Sequence, residues 1–297
     1  GLAAYFIFFK KDKKDENNEK KKDVSNEVKS KDKKLSRNNI IILVFVSVFI
    51  ILMLLRLCGV IDLRLNLVFE KQYNISEVKD IELDTLYYDL AIKKTSGDKI
   101  ILKYYGTDKD NIELSSSNGG NLVINAIDHS FSEKKGFLKQ KLVLFLPKSY
   151  IGTVDVESTD GDIAICNDYK ISVNINTTNG DIALSKINKA TIKSDDGDIA
   201  INKVHVLDIN TIDGDIAVNN IRDEANIKTV SGDIAINGIN LTNNSSISTN
   251  DGDIAIRKVK NGSVSVGKTT GDVVIGKAYK GMYQLKVNSK EGDIAIG

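Results

Sequence analysis

Eight aspartates recur at one offset along the second half of the chain: Asp162, Asp181, Asp198, Asp215, Asp233, Asp253, Asp272 and Asp293. Each follows a glycine, and these glycines stand 19, 17, 17, 18, 20, 19 and 21 residues apart. If every interval folds into a coil of one shape, the carboxylates line up along one edge. Such a row could hold hard cations, with Ca²⁺ bridging carboxylates of successive coils. The Gly-Gly-x-Gly-x-Asp calcium nonapeptide is absent, however. The preferred reading is that each carboxylate accepts hydrogen bonds from backbone N–H groups of its own corner. Some such contact must offset a repulsion of roughly 1 kcal/mol between neighbouring charges before screening. No metal or other cofactor is therefore expected.

A second row carries hydroxyls three residues before the glycine: Ser158, Thr177, Ser194, Thr211, Thr229, Thr249 and Ser289, with Lys268 breaking the series. A nucleophile needs a base beside it, and none repeats with this row, so corner hydrogen bonding is the expectation. Lys186, Lys203, Lys258 and Lys277 stand six after the glycine. They form a partly basic edge, solvated by default, that could touch anionic wall polymers or lipid head groups. His129 and His205 lack metal-ligand spacing. Sugar-cleaving β-helices need grouped acids and usually aromatic platforms. Beyond Phe145 the only aromatics are Tyr150, Tyr169, Tyr279 and Tyr283, so no catalytic residue is assigned.

The element that must position these rows is written in the repeat Gly-Asp-Ile-Ala-Ile, at 161–165, 197–201, 232–236, 252–256 and 292–296, with near-copies at 180–184, 214–218 and 271–275. Large aliphatic residues fall two and four after the glycine, and five before it. Spacing by two with β-branched residues predicts short strands with aliphatic faces turned inward. A further apolar position, seven after the glycine in Ile187, Val204, Ile221, Ile239 and Val259, plugs the opposite turn. One repeat cannot bury such a stripe alone, so the coils stack. The fold class predicted is all-β: a parallel β-solenoid, or β-helix, of eight coils of about 20 residues. Glycine is expected at a corner needing positive φ, after turn residues such as Asp160, Asn179, Asp196, Asp213, Ser231, Asp251 and Glu291. The alanine three after it leaves room outside the strand. Ile216 points inward, whereas Asn219 points outward and should tolerate Asp.

The first part of the chain is different. Residues 1–9 are apolar and read as the tail of an earlier membrane helix, or as a tag remnant or short interfacial patch. Residues 10–39 are a charged, disordered cytoplasmic segment. Residues 40–61 are long and apolar enough to cross about 30 Å of hydrocarbon as a transmembrane helix. The basic flank before that span places the solenoid outside. The chain is thus single-pass in a cell membrane, or two-pass if an earlier helix precedes it. Residues 62–79 read as a connector, 80–150 as an irregular β capping region, and 151–297 as the regular solenoid. Within 80–150, Gly97 and Gly120 look like origins of degenerate repeats. Cys58 and Cys166 offer no disulfide framework. Net charge is +1, and nothing marks a nucleic-acid partner. The final coil, at 292–296, is expected to leave an open strand edge through which copies self-associate.

The membrane helix, the Leu-Val-Leu-Phe-Leu-Pro-Lys strand and the Thr/Ser-x-x-Gly-Asp-Ile repeats together resemble the bacterial "putative adhesin" domain of unknown function, the β-solenoid shared with LiaX-like cell-envelope proteins. The resemblance covers roughly residues 80–297. It implies an envelope location and binding to an envelope polymer or protein, and it brings no catalytic residues. The function expected is therefore non-enzymatic interaction or adhesion at the bilayer. An envelope-stress sensor and a polysaccharide-active β-helix enzyme are the rivals.

Overall fold

The computed structural model describes residues 66–106, 112–116, 120–126, 140–168, 170–267, 270–278, 283–287 and 290–296. The apolar run 40–61, the segments before it, His129, Lys268, Tyr169, Tyr279 and Ser289 lie outside these residues. Among the described residues no helix is long and apolar enough to cross a membrane.

The described chain begins with β1 (Leu67–Asn74) and one turn of 3-10 helix (Ile75–Glu77), where the sequence reads as a connector. β2 (Asp80–Asp84), β3 (Asp89–Thr95), β4 (Lys99–Tyr105), β5 (Ile112–Ser116), β6 (Asn121–Ala126) and β7 (Lys141–Pro147) follow. The regular coils then run through β8 (Thr153–Ser158), β9 (Ile163–Cys166), β10 (Ser172–Thr177), β11 (Ile182–Ser185), β12 (Ile187–Ser194), β13 (Ile199–Thr211) and β14 (Ile216–Ser231). They continue through β15 (Ile234–Ile239), β16 (Asn244–Asp251), β17 (Ile254–Val259), β18 (Gly262–Gly267), β19 (Val273–Ala278), β20 (Tyr283–Val287) and β21 (Ile294–Ile296).

The strands wind a parallel β-solenoid of about 7 turns with about 19 residues per coil. The eight repeat glycines bound seven complete intervals, and each of the two main ladders carries eight rungs along the repeats. The inward positions meet their equivalents in strict register. On one face Val156, Ile175, Ile192, Ile209, Ile227, Ile247, Val266 and Val287 stack in series. On a second face Ile163, Ile182, Ile199, Ile216, Ile234, Ile254, Val273 and Ile294 do the same. A short third ladder joins Ile187, Val204, Ile221, Ile239 and Val259. Because β13 and β14 run unbroken around that corner, the coil is not simply two strands and a plug. Nearly all these side chains are fully buried, each stabilising by about 1.5–3 kcal/mol relative to exposure.

Glycine at the repeat origin is dictated by stacking as much as by φ. Gly232 has φ +152, and a Cβ there would stand 2.3 Å from the carbonyl oxygen of Gly214 in the coil below. Similar overlaps recur from Gly180 to Gly292, so any side chain would wedge the coils apart.

The capping half departs from chain order. β2 lies between β8 and β6, and β3 lies between β9 and β7. The first coil in sequence is therefore the second in the stack. Gly97 and Gly120 are not repeat origins, because Leu90 and Ile92 align with Ile163 and Ile165, while Leu122 and Ile124 align with Ile81 and Leu83 on the other face. Tyr88 stands where a repeat glycine would, and its carbonyl oxygen meets Gly161. Beyond β6 and β7 the parallel ladders end. β5 pairs antiparallel with β6, β4 antiparallel with β7, and β1 antiparallel with β4. These strands satisfy edge groups that would otherwise recruit another chain. Tyr104 fills the space beneath them, stacked on Tyr88 at 5.9 Å and tilted against Phe69 at 5.6 Å. At the opposite end Ile294 and Ile296 remain 47% and 53% exposed.

Candidate functional site

The aspartate row forms one hydrogen-bonded ladder. The backbone N–H of Asp181 donates to Asp162 Oδ1 at 3.1 Å, Asp198 to Asp181 at 3.0 Å and Asp215 to Asp198 at 3.0 Å. Asp233 donates to Asp215 at 2.9 Å, Asp253 to Asp233 at 2.7 Å, Asp272 to Asp253 at 2.7 Å and Asp293 to Asp272 at 2.9 Å. The carboxylates thus accept backbone N–H groups, but across coils rather than within a corner. Each carboxylate from Asp162 to Asp272 ties its own coil to the next.

The ladder has a ninth member that the glycine pattern conceals. Asp162 N–H donates to Asp89 Oδ1 at 3.1 Å. Its signal is Thr85-x-x-Tyr88-Asp89-Leu90-Ala91-Ile92, which keeps the repeat's hydroxyl, aspartate, aliphatic and alanine offsets and lacks only the glycine among them. In register beyond Asp89 stands Lys141, only 7% exposed. A cation thus occupies the aspartate position at the capped end of the acid row.

The middle carboxylates are half-buried. Burial raises the Asp198 and Asp215 carboxyl groups above the usual carboxylate range, against the pull of the N–H donated by the next coil. Burial pushes Asp233 up to about 6, with the charges of Asp215, Asp253 and Asp251 adding to the rise. Among the described residues no group of three or more His, Cys, Asp or Glu side chains could hold a metal ion. One carboxylate per coil, already accepting an N–H, supplies few of the six to eight oxygens that Ca²⁺ takes.

The hydroxyl row is buried and committed to carbonyls. Thr177 Oγ1 donates to Asn179 O at 2.6 Å, Ser194 Oγ to Asp196 O at 2.9 Å and Thr211 Oγ1 to Asp213 O at 3.0 Å. Thr249 Oγ1 donates to Gly232 O at 3.1 Å. No base stands among these bonds, and the row closes corners.

A third row is absent from the sequence reading. Five residues after the glycine, Asn202 donates to Ser185 Oγ at 3.2 Å, Asn219 to Asn202 Oδ1 at 2.9 Å and Asn237 to Asn219 Oδ1 at 2.6 Å. Arg257 completes the row by donating to Asn237 Oδ1 at 3.0 Å. Asn219 is therefore a link in a carboxamide ladder. An Asp there could not donate to Asn202, so the expected tolerance is corrected. The identical offset of Asn202, Asn219 and Asn237 was the available signal. Of the two histidines only His205 is described, with Nδ1 3.3 Å from Asp223 Oδ2.

The family described as Toastrack DUF4097 matches residues 78–297. No curated protein matches the chain. A solved structure called a putative adhesin, from Bacteroides fragilis, is 18% identical, with a TM-score of 0.38 over 78% of this chain and 97% of that one. A putative adhesin from Parabacteroides distasonis is 13% identical, with a TM-score of 0.48 over 78% and 97%. A putative lipid binding protein from the same species is 13% identical, with a TM-score of 0.40 over 77% and 96%.

Proposed function

The chain belongs to the Toastrack DUF4097 family, and from that premise we propose that it is a non-enzymatic binding rod of the adhesin type, held at a bacterial membrane by residues 40–61 with the solenoid outside. Fold alone does not give function; the reading rests on what the polar rows do. The carboxylate row and the hydroxyl row, the two that could have carried chemistry, are consumed in bonds that hold coil to coil or close a corner. What remains for a partner is the outer surface. The basic flank before residue 40 supports the orientation.

The test uses the full chain, kept in a neutral detergent and mixed with isolated bacterial envelope fragments. Co-sedimentation without release of soluble saccharide is expected. Steady release of saccharide would convert the reading to that of a polysaccharide-cleaving enzyme, and failure to co-sediment would remove adhesion. Orientation is checked by labelling an engineered surface cysteine with an impermeant reagent on intact wall-less cells. Labelling only after lysis would overturn it.

A further inference from the structure

Six residues after each repeat glycine, Lys203, Asn220, Gly238, Lys258 and Lys277 form one row. Lys203 pairs with Asn220, Asn220 with Gly238, and Lys258 with Lys277 in register. Ile239 beside Val259 sets Gly238 next to Lys258. Two residues further on run Arg222, Asn240 and Lys260, knit by Asn240 N–H to Ile221 O at 3.0 Å and Lys260 N–H to Ile239 O at 2.9 Å. The two rows enclose a groove of about 390 Å³.

Gly238 is its floor. A Cβ there would stand 3.0 Å from the Asn220 carboxamide oxygen, so the groove exists because this coil alone lacks a side chain in the row. Cations stand at both ends, Lys203 and Arg222 below, Lys258 and Lys260 above. Among the described residues none of the four forms an ion pair, and no acid lines the groove. The centre is neutral and polar. Asn240 spends its carbonyl oxygen on Asn261 at 2.6 Å and keeps its NH₂ group for a ligand. No aromatic ring lines the groove on which a base could stack. The apolar side chains in its wall, Val204, Ile221 and Ile239, are buried, so nothing there inserts into lipid.

We propose that this groove binds a phosphodiester-linked polyol chain. Two successive phosphates sit on the cation pairs, and the neutral polyol lies between them over Gly238. Arg222 and Lys260 are two coil steps apart, roughly 10 Å. Arg supplies a bidentate fork for one phosphate, and the lysines supply point charges. This rests on the reading of the rod as a binding element.

The experiment titrates the full chain, in neutral detergent, with a fluorescent glycerol-phosphate oligomer. Binding that weakens with salt is expected. The pair Lys203→Ala and Lys258→Ala should weaken it about tenfold, as loss of two exposed ion pairs would. Gly238→Lys is the discriminating variant. It adds a cation where Lys203 and Lys258 already stand, so the coil is retained, yet it fills the floor. Weaker binding is expected. Tighter binding would mean that charge alone attracts the oligomer, and the groove proposal would fall. So would absence of oligomer binding, or equal binding to phosphatidylglycerol vesicles, which would assign the cations to a lipid surface. If wild type and Gly238→Lys co-sediment equally with envelope fragments, the rod still binds and only the groove is wrong. If neither does, both readings fail.

Discussion

The capping half and the repeat half solve the same problem, burial of an aliphatic stripe, in opposite ways. In the rod every core residue sits on its own kind. Ile216 has Ile199 on one side and Ile234 on the other, and each polar row repeats one bond type from coil to coil. In the cap β2 and β3 keep that register, but the aromatic packing around them has no equivalent in the rod. Tyr104, Tyr88 and Phe69 fill one irregular space, and the buried Tyr150 hydroxyl donates to Lys79 O at 2.9 Å, across 71 residues of chain. The rod spreads its stability over many like contacts, whereas the cap concentrates it in a few unlike ones. A residue of the rod is therefore understood by its row, and a residue of the cap only by its neighbours.

The largest expected effect comes from breaking the rod's core. Ile216→Asp puts an unpaired carboxylate between two isoleucines and should cost about 4 kcal/mol in chemical denaturation. Tyr104→Ala, the matching lesion in the cap, should cost about 3 kcal/mol. Because coils contact only their neighbours, the Ile216 variant should unfold in two steps and the Tyr104 variant should release the cap first. One concerted transition in both would erase the distinction.

Glycines sharpen it further. Gly232→Ala drives a methyl group into the Gly214 carbonyl and should cost about 2 kcal/mol. Gly97→Ala, in the cap, meets only the Thr95 hydroxyl at 3.7 Å and should melt within a degree or two of wild type. Equal losses would mean that the stacking contact is not what selects glycine.

Acidity separates the halves more gently. The Asp233 carboxyl is pushed up to about 6 when folded, from an ordinary 3.8. The folded state thus holds the extra proton between those values. The contribution of this group to stability is greatest below about pH 4, falls as pH rises to about 6, and is level above. Solvent screening limits the loss to about 1 kcal/mol. Asp233→Asn should flatten the fall while still accepting the Asp253 N–H. A rise in stability across this window would contradict the buried ladder.

Smallest of all is the expected response to a chelator. If the ladder is held by N–H groups, the melting temperature is unchanged when Ca²⁺ is removed, whereas a folded-state cation site would lower it by mass action.

These contrasts also explain what could be read from residues alone. The rod was legible because offset two, offset four and offset minus five carry aliphatics in every coil, so strand phase and register follow. Asp89 escaped because Tyr88 replaces the glycine that marks each repeat. The carboxamide ladder escaped because Asn219, taken singly, looks like any exposed polar residue; only stacking turns three such residues into a row. The cap's pairing could not be read because β2 meets β8 and β6, partners far along the chain that no local period announces.

The burial of β2 and β3 inside the stack has a mechanical consequence. A tension applied from the N-terminal side of the described chain first meets β1, paired with β4 alone. It then meets β2, which is bonded along both edges to parallel strands. To extract β2 lengthwise, the load must shear two ladders at once, whereas β1, among the described residues, presents only one. Rupture under load depends on the unfolding barrier rather than on equilibrium stability. The described coils are thus hard to pull open from the side on which the first of them is clamped between two neighbours.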